Sequence, residues 1–466
     1  MNILDTLSEK RVLILGLGRE GMSSFLFLRR LFPQKLLGLA DRTAWAQLDE
    51  RTRQLIESDG NVTVFFGEDY LSSIGKYEVI FKSPGIYPSE LVGARQNAKV
   101  ITSNTEAFFE CCPGTIIGIT GTKGKSTTAS LIYEVLKAAN VDAHLTGNIG
   151  IPPLSSLDKA TSDSIFVTEL SSYQLTDLHK SPHIAVIQNV VPEHLDYHGD
   201  FEAYVNAKQN IAQHQTADNY ILFNASYPIP TKIAQASNAK KIPFGFSPVG
   251  SVGCFTDNGF LTFYLDGHQE KIISVDKVPL RGTFNLQNVM PAIIVGKILG
   301  IPTEIIATGI QNFRSLEHRL ELVETVNGVT FYNDSLSTIP EATISAIQAF
   351  PGKGFILLVG GFDRGLDFTE LAHVILTNDI KAVLLFSTTG EKLWNEIVRQ
   401  ATGGKKLPKH LFVTNMADAV LQAYSIAEKG DLVLLSPASP SFSSFKDYRD
   451  RGLQFKTEVR KLISCL

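Results

Sequence analysis

Residues 116–128 combine an apolar strand, a glycine-containing loop and the start of a helix, and they restrict the fold more than any other stretch. Gly121 and Gly124 let the backbone turn tightly, so that its N–H groups can face an anion. Lys125 can reach the outer phosphates of a nucleotide, and Ser126 offers a hydroxyl to magnesium where the helix presents its positive end. The stretch therefore predicts a phosphate-binding loop between a strand and a helix.

This loop departs from the strict phosphate-loop motif, because Ile119 stands five residues before Gly124, where the motif has glycine. A plain strand-to-helix turn with a solvated lysine is therefore the alternative.

The 466 residues are too many for one ordinary core and indicate about three domains. Hydrophobic residues make up 44% and charged residues 19%, which is typical of a globular protein.

Charge and cysteine content exclude several classes of protein. The formal net charge of −4 argues against a general nucleic-acid binder. The four cysteines, Cys111, Cys112, Cys254 and Cys465, form neither a paired metal motif nor a disulfide framework, which favours the reducing cytoplasm. No apolar run approaches the roughly 20 residues of a membrane span, and residues 1–10 lack a signal-peptide core. We therefore expect no membrane partner.

The N-terminal stretch contains a second glycine loop. Gly16-Leu-Gly-Arg-Glu-Gly21 follows an apolar strand, and Asp41 ends the next strand, as in a dinucleotide-binding fingerprint. Ser83 and Gly85 follow a third strand, where ligand loops of doubly wound sheets lie. Alone, this pattern suggests NAD, and a domain that binds another phosphorylated ligand or none is the alternative. No second half with dehydrogenase-like residues follows, so an NAD-dependent oxidoreductase is the remote interpretation.

Two polar residues of the central region follow strands, and a third lies in a helix. Glu169 ends an apolar strand, so it is a candidate magnesium ligand, although a surface glutamate is the alternative. His194 lies just past another strand among acids, where a structural histidine is the common case. Lys208 lies within a predicted helix, and from its position alone a solvated lysine is all that can be inferred.

The C-terminal region begins with a hairpin, in which Asn327-Gly328 separates two strands. Helices and strands then alternate, which predicts a mainly parallel sheet with helical crossovers. Arg364 follows one of these strands and could grip a carboxylate in a bidentate manner. We therefore predict an α/β fold of three domains, namely a Rossmann-like domain at 1–106, a phosphate-loop ATPase domain with a mostly parallel sheet at 107–315, and a Rossmann-like α/β domain at 316–466.

Several of these motifs resemble those of one family. Thr120-Gly-Thr-Lys-Gly-Lys-Ser-Thr127 resembles the ATP loop of the Mur ligases and of the related folylpolyglutamate synthases, which phosphorylate a carboxylate and couple it to an amine. The segment from Asn189 to Asp196 is similar to the Mur ligase motif Asn-x-x-x-Asp/Glu-His-Leu-Asp, and the loops at Gly16–Gly21, Asp41 and Ser83 resemble the substrate loops of the glutamate-adding branch. The resemblance extends over nearly the whole chain.

The resemblance implies roles for individual residues. The implied catalytic residues are Lys125, Glu169, His194 and Lys208. The implied ATP contacts are Gly121, Thr122, Lys123, Gly124, Lys125, Ser126, Thr127, Asn285, Arg319 and Asp334. The implied contacts to a uridine-diphosphate substrate are Gly18, Arg19, Glu20, Asp41, Arg42, Ser83, Gly85, Asn148 and His194. The implied amino-acid contacts are Thr338, Arg364, Ser441 and Tyr448, and the implied metal ligands are Ser126, Glu169, His194 and a carbamylated Lys208.

The activity implied by the resemblance is a cytoplasmic step of peptidoglycan synthesis. It is the ligation of D-glutamate to UDP-N-acetylmuramoyl-L-alanine, with ATP, two magnesium ions and an acyl-phosphate intermediate. The expected partners are these small molecules alone, and the expected state is a monomer. A folylpolyglutamate synthase is the near alternative, but such enzymes lack a glycine-fingerprint domain ahead of the ATP loop. A phosphate-loop module without catalysis is disfavoured, because a mere binder needs no second metal site.

The chain departs from the resembling enzymes at the expected amino-acid site. Most D-glutamate ligases read Asn-Asp-Ser-Lys-Ala-Thr where this chain reads Asn333-Asp-Ser-Leu-Ser-Thr338, so Leu336 replaces a cation. Arg364 stands for the other lysine of the pocket, and Ser337 and Tyr448 replace alanine and phenylalanine. Chirality depends on where the two carboxylates are anchored, so ligation of L-glutamate is the alternative to ligation of D-glutamate.

Overall fold

The computed structural model describes residues 3–96, 99–352, 354–401, 406–442 and 444–464. The chain divides into two compact units. The first consists of Met1–Lys277 and Gln287–Gln311, and the second of Val278–Leu286 and Asn312–Leu466. Cys111, Cys112 and Cys254 are free thiols, and Cys465 lies outside the described residues.

The first sheet of the first unit is five-stranded and parallel. Its strands are β1 (Val12–Leu15), β2 (Leu37–Asp41), β3 (Val62–Phe66), β4 (Val79–Lys82) and β5 (Val100–Ser103). Helices of the same region are α1 (Ile3–Glu9), α2 (Arg19–Leu31), α3 (Glu50–Glu57), α4 (Val92–Gln96) and α5 (Asn104–Cys111). The strand order is β3-β2-β1-β4-β5, so the order reverses between β1 and β4. Ligands bind parallel sheets at such a switch point, outside the carboxyl ends of the strands.

The second sheet of the first unit has nine strands. They are β6 (Thr115–Thr120), β7 (Ala143–Gly147), β8 (Ile165–Glu169), β9 (Ile184–Ile187), β10 (Tyr220–Asn224), β11 (Lys240–Gly245), β12 (Gly253–Asp257), β13 (Phe260–Leu265) and β14 (His268–Ser274). Their order is β14-β13-β12-β11-β10-β9-β6-β8-β7, and only the pairs β12–β13 and β13–β14 are antiparallel among the described residues. All of β8 and β9 is buried, as expected of parallel strands that are covered on both faces.

Seven helices accompany this sheet in the described part of the chain. They are α6 (Lys125–Ala138), α7 (Ser172–Leu175), α8 (Leu195–His198), α9 (Phe201–Gln213), α10 (Pro228–Ala236), α11 (Phe284–Ile298) and α12 (Thr303–Gln311). Strand β6 lies between β8 and β9, so the loop after β6 shares one edge of the sheet with the ends of both neighbours.

The sheet of the second unit has six strands. They are β15 (Glu321–Val326), β16 (Val329–Asn333), β17 (Phe355–Gly360), β18 (Ile380–Phe386), β19 (Lys409–Val413) and β20 (Leu432–Leu435), in the order β15-β16-β20-β17-β18-β19. Its helices are α13 (Pro340–Gln348), α14 (Thr369–Thr377), α15 (Thr389–Gln400), α16 (Met416–Ile426) and α17 (Tyr448–Ser464). The predicted hairpin is confirmed, since β15 pairs antiparallel with β16 and Asn327 and Gly328 both have positive φ.

The predicted α/β class with mostly parallel sheets is confirmed by these three sheets. The domain boundaries at residues 107 and 316 remain predictions, and Ala107 is buried within α5. Within the described ranges, no helix is both long and apolar enough to span a membrane.

Candidate active site

The loop between β6 and α6 has a backbone that requires glycine. Gly121 and Gly124 have φ of 147° and 87°. A Cβ on Gly121 would lie 2.7 Å from the Cβ of Gln188, and one on Gly124 would collide with the amide oxygen of Asn288. The loop thus packs closely against the end of β9 and against α11, which explains both glycines.

Hydrogen bonds hold this loop to the segment after β9. The N–H groups of Thr122 and Lys123 donate to the main-chain oxygen and to Oδ1 of Asn189, at 2.6 and 2.8 Å. The Thr122 hydroxyl lies 2.9 Å from the hydroxyl of Tyr204, and the Lys123 ammonium lies 2.6 Å from Oε1 of Glu193. The loop is therefore fixed before any ligand binds.

Two lysines meet at the loop. Nζ of Lys125 donates to the carbonyl oxygens of Gly121 and Thr122, both at 2.9 Å. Nζ of Lys208 donates to the same Gly121 oxygen at 2.9 Å, and Lys208 is only 1% exposed. Burial, and then the charge of Lys125, lower the pKa of Lys208 well below its ordinary value. The interpretation of Lys208 as a solvated lysine is therefore wrong.

Glu169 lies at the carboxyl end of β8, beside the end of β6. It is 1% exposed, so the alternative of a surface glutamate is wrong. Asn148 donates from Nδ2 to Oε1 of Glu169 at 2.8 Å, whereas Oε2 is buried without a hydrogen-bond partner among the described residues. A buried carboxylate oxygen without a donor suits a cation.

The other predicted metal ligands are more exposed. His194 has a left-handed backbone with φ of 57°, and its ring lies 5.0 Å from that of Tyr173. Burial lowers the pKa of His194, which favours the neutral imidazole that binds metals. Ser126 is half-buried in the first turn of α6. Within the described ranges, no three or more His, Cys, Asp and Glu side chains are grouped to hold a metal, so the predicted set depends on Ser126 and on a modified Lys208.

A cavity of about 430 Å³ lies at the switch point of the five-stranded sheet. Of the predicted substrate contacts, its lining includes Gly18, Arg19, Glu20, Asp41, Ser83, Gly85 and Asn148. It also includes residues that sequence reasoning did not single out, among them Ile86 and Pro152. Arg42 and His194 are not among the described residues that line it, and the side chain of Arg42 is 79% exposed, 3.9 Å from Glu90.

Side chains of the cavity hold its loops together. Both carboxylate oxygens of Asp41 accept from main-chain N–H groups, those of Leu17 at 2.5 Å and Thr43 at 2.7 Å. The Ser83 hydroxyl donates to the Gly16 oxygen at 2.6 Å. Asp41 and Ser83 therefore shape the glycine loop, whether or not they also touch a ligand.

Two acids, half-buried Glu20 and buried Asp177, take part in contacts between the five-stranded sheet region and the segment of helix α7. Glu20 accepts from Nε2 of Gln174 at 2.6 Å, and burial raises the pKa of Glu20 to about 7. Lys82, the last residue of β4, forms a buried ion pair with Asp177 at 3.0 Å. Neither contact can be inferred from local sequence patterns.

The predicted amino-acid site lies in the second unit, at the carboxyl ends of adjacent strands. Thr338 follows β16, Ser441 follows β20, Arg364 follows β17, and Tyr448 begins α17. Thr338 is half-buried and Ser441 is buried. Arg364 is exposed, with its guanidinium carbon 5.6 Å from the centre of the Phe442 ring.

The remaining predicted ATP contacts also belong to the second unit. Asp334 is buried and accepts from the Leu320 N–H at 3.1 Å and from the hydroxyls of Ser337 and Ser436 at 2.5 and 2.8 Å. Burial raises the pKa of Asp334 to about 6. Arg319 is half-buried.

Asn285 lies in the first turn of α11, which begins at Phe284. Its side chain donates from Nδ2 to the Arg281 main-chain oxygen at 2.6 Å.

Comparison with known proteins gives full-length matches. The family model for the Mur ligase middle domain matches residues 119–296, and that for the Mur ligase, glutamate ligase domain, matches residues 318–439. The chain is 34% identical to UDP-N-acetylmuramoylalanine–D-glutamate ligase of Acetivibrio thermocellus, over 98% of this chain and 97% of that one. It is 33% identical to the enzyme of that name from Symbiobacterium thermophilum, over 97% and 98%.

Solved structures share the fold at lower identity. UDP-N-acetylmuramate-alanine ligase MurC of Thermotoga maritima superposes with a TM-score of 0.59 at 15% identity, over 98% of this chain and all of that one. MurF ligase of Thermotoga maritima, solved in complex with ADP, superposes with a TM-score of 0.56 at 17% identity, over 98% and 97%.

Proposed function

Because the chain belongs to the Mur ligase family, we propose that it ligates D-glutamate to UDP-N-acetylmuramoyl-L-alanine at the expense of ATP, a step of peptidoglycan synthesis. The observation that carries the proposal is the buried pair of Glu169 and Lys208 beside the glycine loop, next to Lys125. A protein that merely bound a nucleotide would not need a buried carboxylate and a buried amine there.

The reaction proceeds in two steps. The alanyl carboxylate of the substrate attacks the terminal phosphorus of ATP, ADP leaves, and an acyl phosphate forms. The amine of glutamate then attacks the acyl carbon, loses a proton and expels phosphate. Lys125 and the N–H groups of the loop at Gly121–Gly124 hold the transferred phosphoryl group and its developing charge, for which Lys125 must leave its present loop carbonyls.

We propose that Ser126, Glu169, His194 and a carbamylated Lys208 hold magnesium, as two ions. When bound, magnesium would supply positive charge that offsets the negative charge of the nucleotide phosphates. The unpartnered Oε2 of Glu169 supports this assignment. Carbon dioxide adds to the neutral amine of Lys208: a nitrogen–carbon bond forms, one carbon–oxygen π bond opens and one proton leaves, so that the neutral amine becomes an anionic carbamate.

The nucleotide ends of the substrates are assigned to two places. We assign the uridine diphosphate to the cavity lined by Gly18, Arg19, Glu20, Asp41, Ser83, Gly85 and Asn148, with Arg42 and His194 at the rest of the substrate. We assign ATP to the loop from Gly121 to Thr127, with Asn285, Arg319 and Asp334. The division into domains 1–106, 107–315 and 316–466, the monomeric state and the cytoplasmic location belong to the same proposal.

We assign glutamate to Thr338, Arg364, Ser441 and Tyr448. A second candidate, ligation of L-glutamate, is favoured by Leu336, which removes one cation from the expected anchors. Arg364 can compensate by its planar fork, because a guanidinium holds a carboxylate with two N–H groups. We retain D-glutamate because Thr338, Ser441 and a basic residue at position 364 are all present.

Phosphate release from ATP tests both points. The protein is incubated with UDP-N-acetylmuramoyl-L-alanine and ATP, and D-glutamate and L-glutamate are added separately. We expect faster turnover with D-glutamate. Turnover with L-glutamate at more than about ten times the rate with D-glutamate would replace the first candidate by the second, since a tenfold ratio corresponds to about 1.4 kcal/mol. No release with either would refute the ligase proposal.

A further inference from the structure

Arg451, in the first turn of α17, is a fully buried arginine. It is 1% exposed and is one of the largest completely buried side chains in the described part of the chain. Its Nε donates to the Ser335 hydroxyl at 3.0 Å, Nη2 donates to the Ser335 main-chain oxygen at 2.8 Å, and Nη1 donates to the Ser439 main-chain oxygen at 3.0 Å. One guanidinium thus links two loops that are about a hundred residues apart in sequence.

The acceptors of Arg451 are all uncharged. Among the residues that the structure describes, no aspartate or glutamate forms an ion pair with it. Burial lowers the pKa of Arg451 to about 9, so the group is still a cation at neutral pH. A buried cation without a carboxylate is unfavourable unless something else makes use of its charge.

The linked loops carry the predicted amino-acid contacts. Ser335 lies three residues before Thr338, and Ser439 lies two residues before Ser441. The Ser335 hydroxyl in turn donates to the Tyr448 main-chain oxygen at 2.7 Å. Arg451 therefore reaches, through its hydrogen bonds, three of the segments assigned to the amino acid.

We propose that Arg451 is a positioning residue for the amino-acid substrate: it holds the loops after β16 and β20 and the start of α17 in register, and it supplies positive charge that Leu336 does not. The inference rests on the assignment of glutamate to this edge of the sheet. The charge favours a dicarboxylate over a neutral amino acid, because a buried cation is weakly screened by solvent. No contact between the guanidinium and the substrate is required.

Three variants separate charge from geometry. Arg451→Lys keeps the charge, but its single nitrogen cannot span three acceptors. Arg451→Met removes both the hydrogen bonds and the charge. Ser335→Ala removes one hydroxyl, so it tests the same linkage if Arg451→Met does not fold. Arg460→Lys is the matched control, because Arg460 is exposed on the same helix.

Two measurements are made on the full-length protein. Steady-state kinetics give KM for glutamate and for ATP, and hydrogen exchange follows the amides of residues 335–338, Ser439 and Ser441. For Arg451→Lys we expect faster exchange at both loops. KM for glutamate should rise about tenfold, which corresponds to the loss of one charge-assisted hydrogen bond, whereas KM for ATP should rise less than about twofold. Arg451→Met should raise KM for glutamate further, Ser335→Ala should raise it less, and Arg460→Lys should match the wild type.

Unchanged exchange at the two loops in Arg451→Lys overturns the inference, and so does an equal rise in both KM values. If the wild type does not ligate glutamate, the proposed function fails, and the substrate role of Arg451 fails with it. Hydrogen exchange then still decides the structural part of the inference, because faster exchange supports the link between the two loops and unchanged exchange overturns it.

Discussion

Lys125 and Lys208 both donate a hydrogen bond to the carbonyl oxygen of Gly121, and each donor–acceptor distance is 2.9 Å. Two ammonium groups that share an acceptor repel each other, so the more deeply buried one loses its proton more readily. Lys208 is that group, since burial and the charge of Lys125 both lower its pKa. A neutral amine is the form that reacts with carbon dioxide, and the resulting carboxylate would attract Lys125 instead of repelling it.

Lys208→Ala should reduce ligation by about a hundredfold or more, as for other losses of preorganised charge at a phosphoryl-transfer site. Acetate or propionate, which can occupy the space of the missing side chain, should restore part of the activity, and phosphate release measures this. Lys232→Ala, on the exposed side of α10, is the control. It should keep wild-type activity, and acetate or propionate should not change that activity. Near wild-type turnover of Lys208→Ala would exclude an essential carbamate.

Lys125→Ala should abolish phosphate release while leaving the fold intact. Its two hydrogen bonds go to loop carbonyls at a half-buried position, so the free energy of unfolding should fall by no more than about 1 kcal/mol. Lys137→Ala removes an exposed lysine from the same helix and should keep full activity. Assays of phosphate release and thermal unfolding on both variants check this. An active Lys125→Ala would contradict the assignment of ATP to the loop.

The cavity at the five-stranded sheet should bind UDP and not NAD. Asp41→Asn leaves one acceptor oxygen for the two N–H groups of Leu17 and Thr43, so it loosens the glycine loop and should weaken UDP binding by about tenfold. Titration calorimetry with each nucleotide tests this, and Asp69→Asn at an exposed position is the control. Tight NAD binding without UDP binding would contradict the assignment.

Local patterns predicted those parts of the molecule that local forces determine. Gly121 and Gly124 adopt positive φ because the loop after β6 requires it, and Asn327-Gly328 forms a hairpin turn because both residues tolerate positive φ. The order of strands along the chain was enough for the α/β class. These features depend on neighbours in sequence, which is why they could be inferred without a structure.

Burial and long-range contacts could not be predicted in the same way. The sequence does not indicate that Lys208 is buried beside Gly121, or that Arg451 joins Ser335 to Ser439, because these partners lie far apart along the chain. The sequence also does not indicate that Arg42, next to Asp41, lies outside the lining of the cavity among the described residues. The family resemblance identified residue types and left their environment open.

Asp334 provides a prediction in which stability and function oppose each other. Burial raises the pKa of this carboxyl from 3.8 to about 6, despite the hydroxyls of Ser337 and Ser436. A raised pKa of an acid means that the folded state retains the proton longer than the unfolded state does. The free energy of unfolding therefore falls as pH rises from 3.8 to about 6 and stays reduced above that window, by about 3 kcal/mol in total.

Asp334→Asn keeps the shape of the protonated acid and cannot ionise, so it should be more stable than the wild type at pH 8. The gain should grow by about 1 to 1.5 kcal/mol between pH 5 and pH 8, because most of the remaining ionisation falls in that interval. Ligation should be lost at the same time, since Asp334 is assigned to the nucleotide. Unfolding by urea at both pH values measures the gain, and Asp379→Asn, at an exposed position in the same unit, should show no such pH dependence. A gain that is absent, or equal at the two pH values, would show that Asp334 is ionised in the fold at no cost.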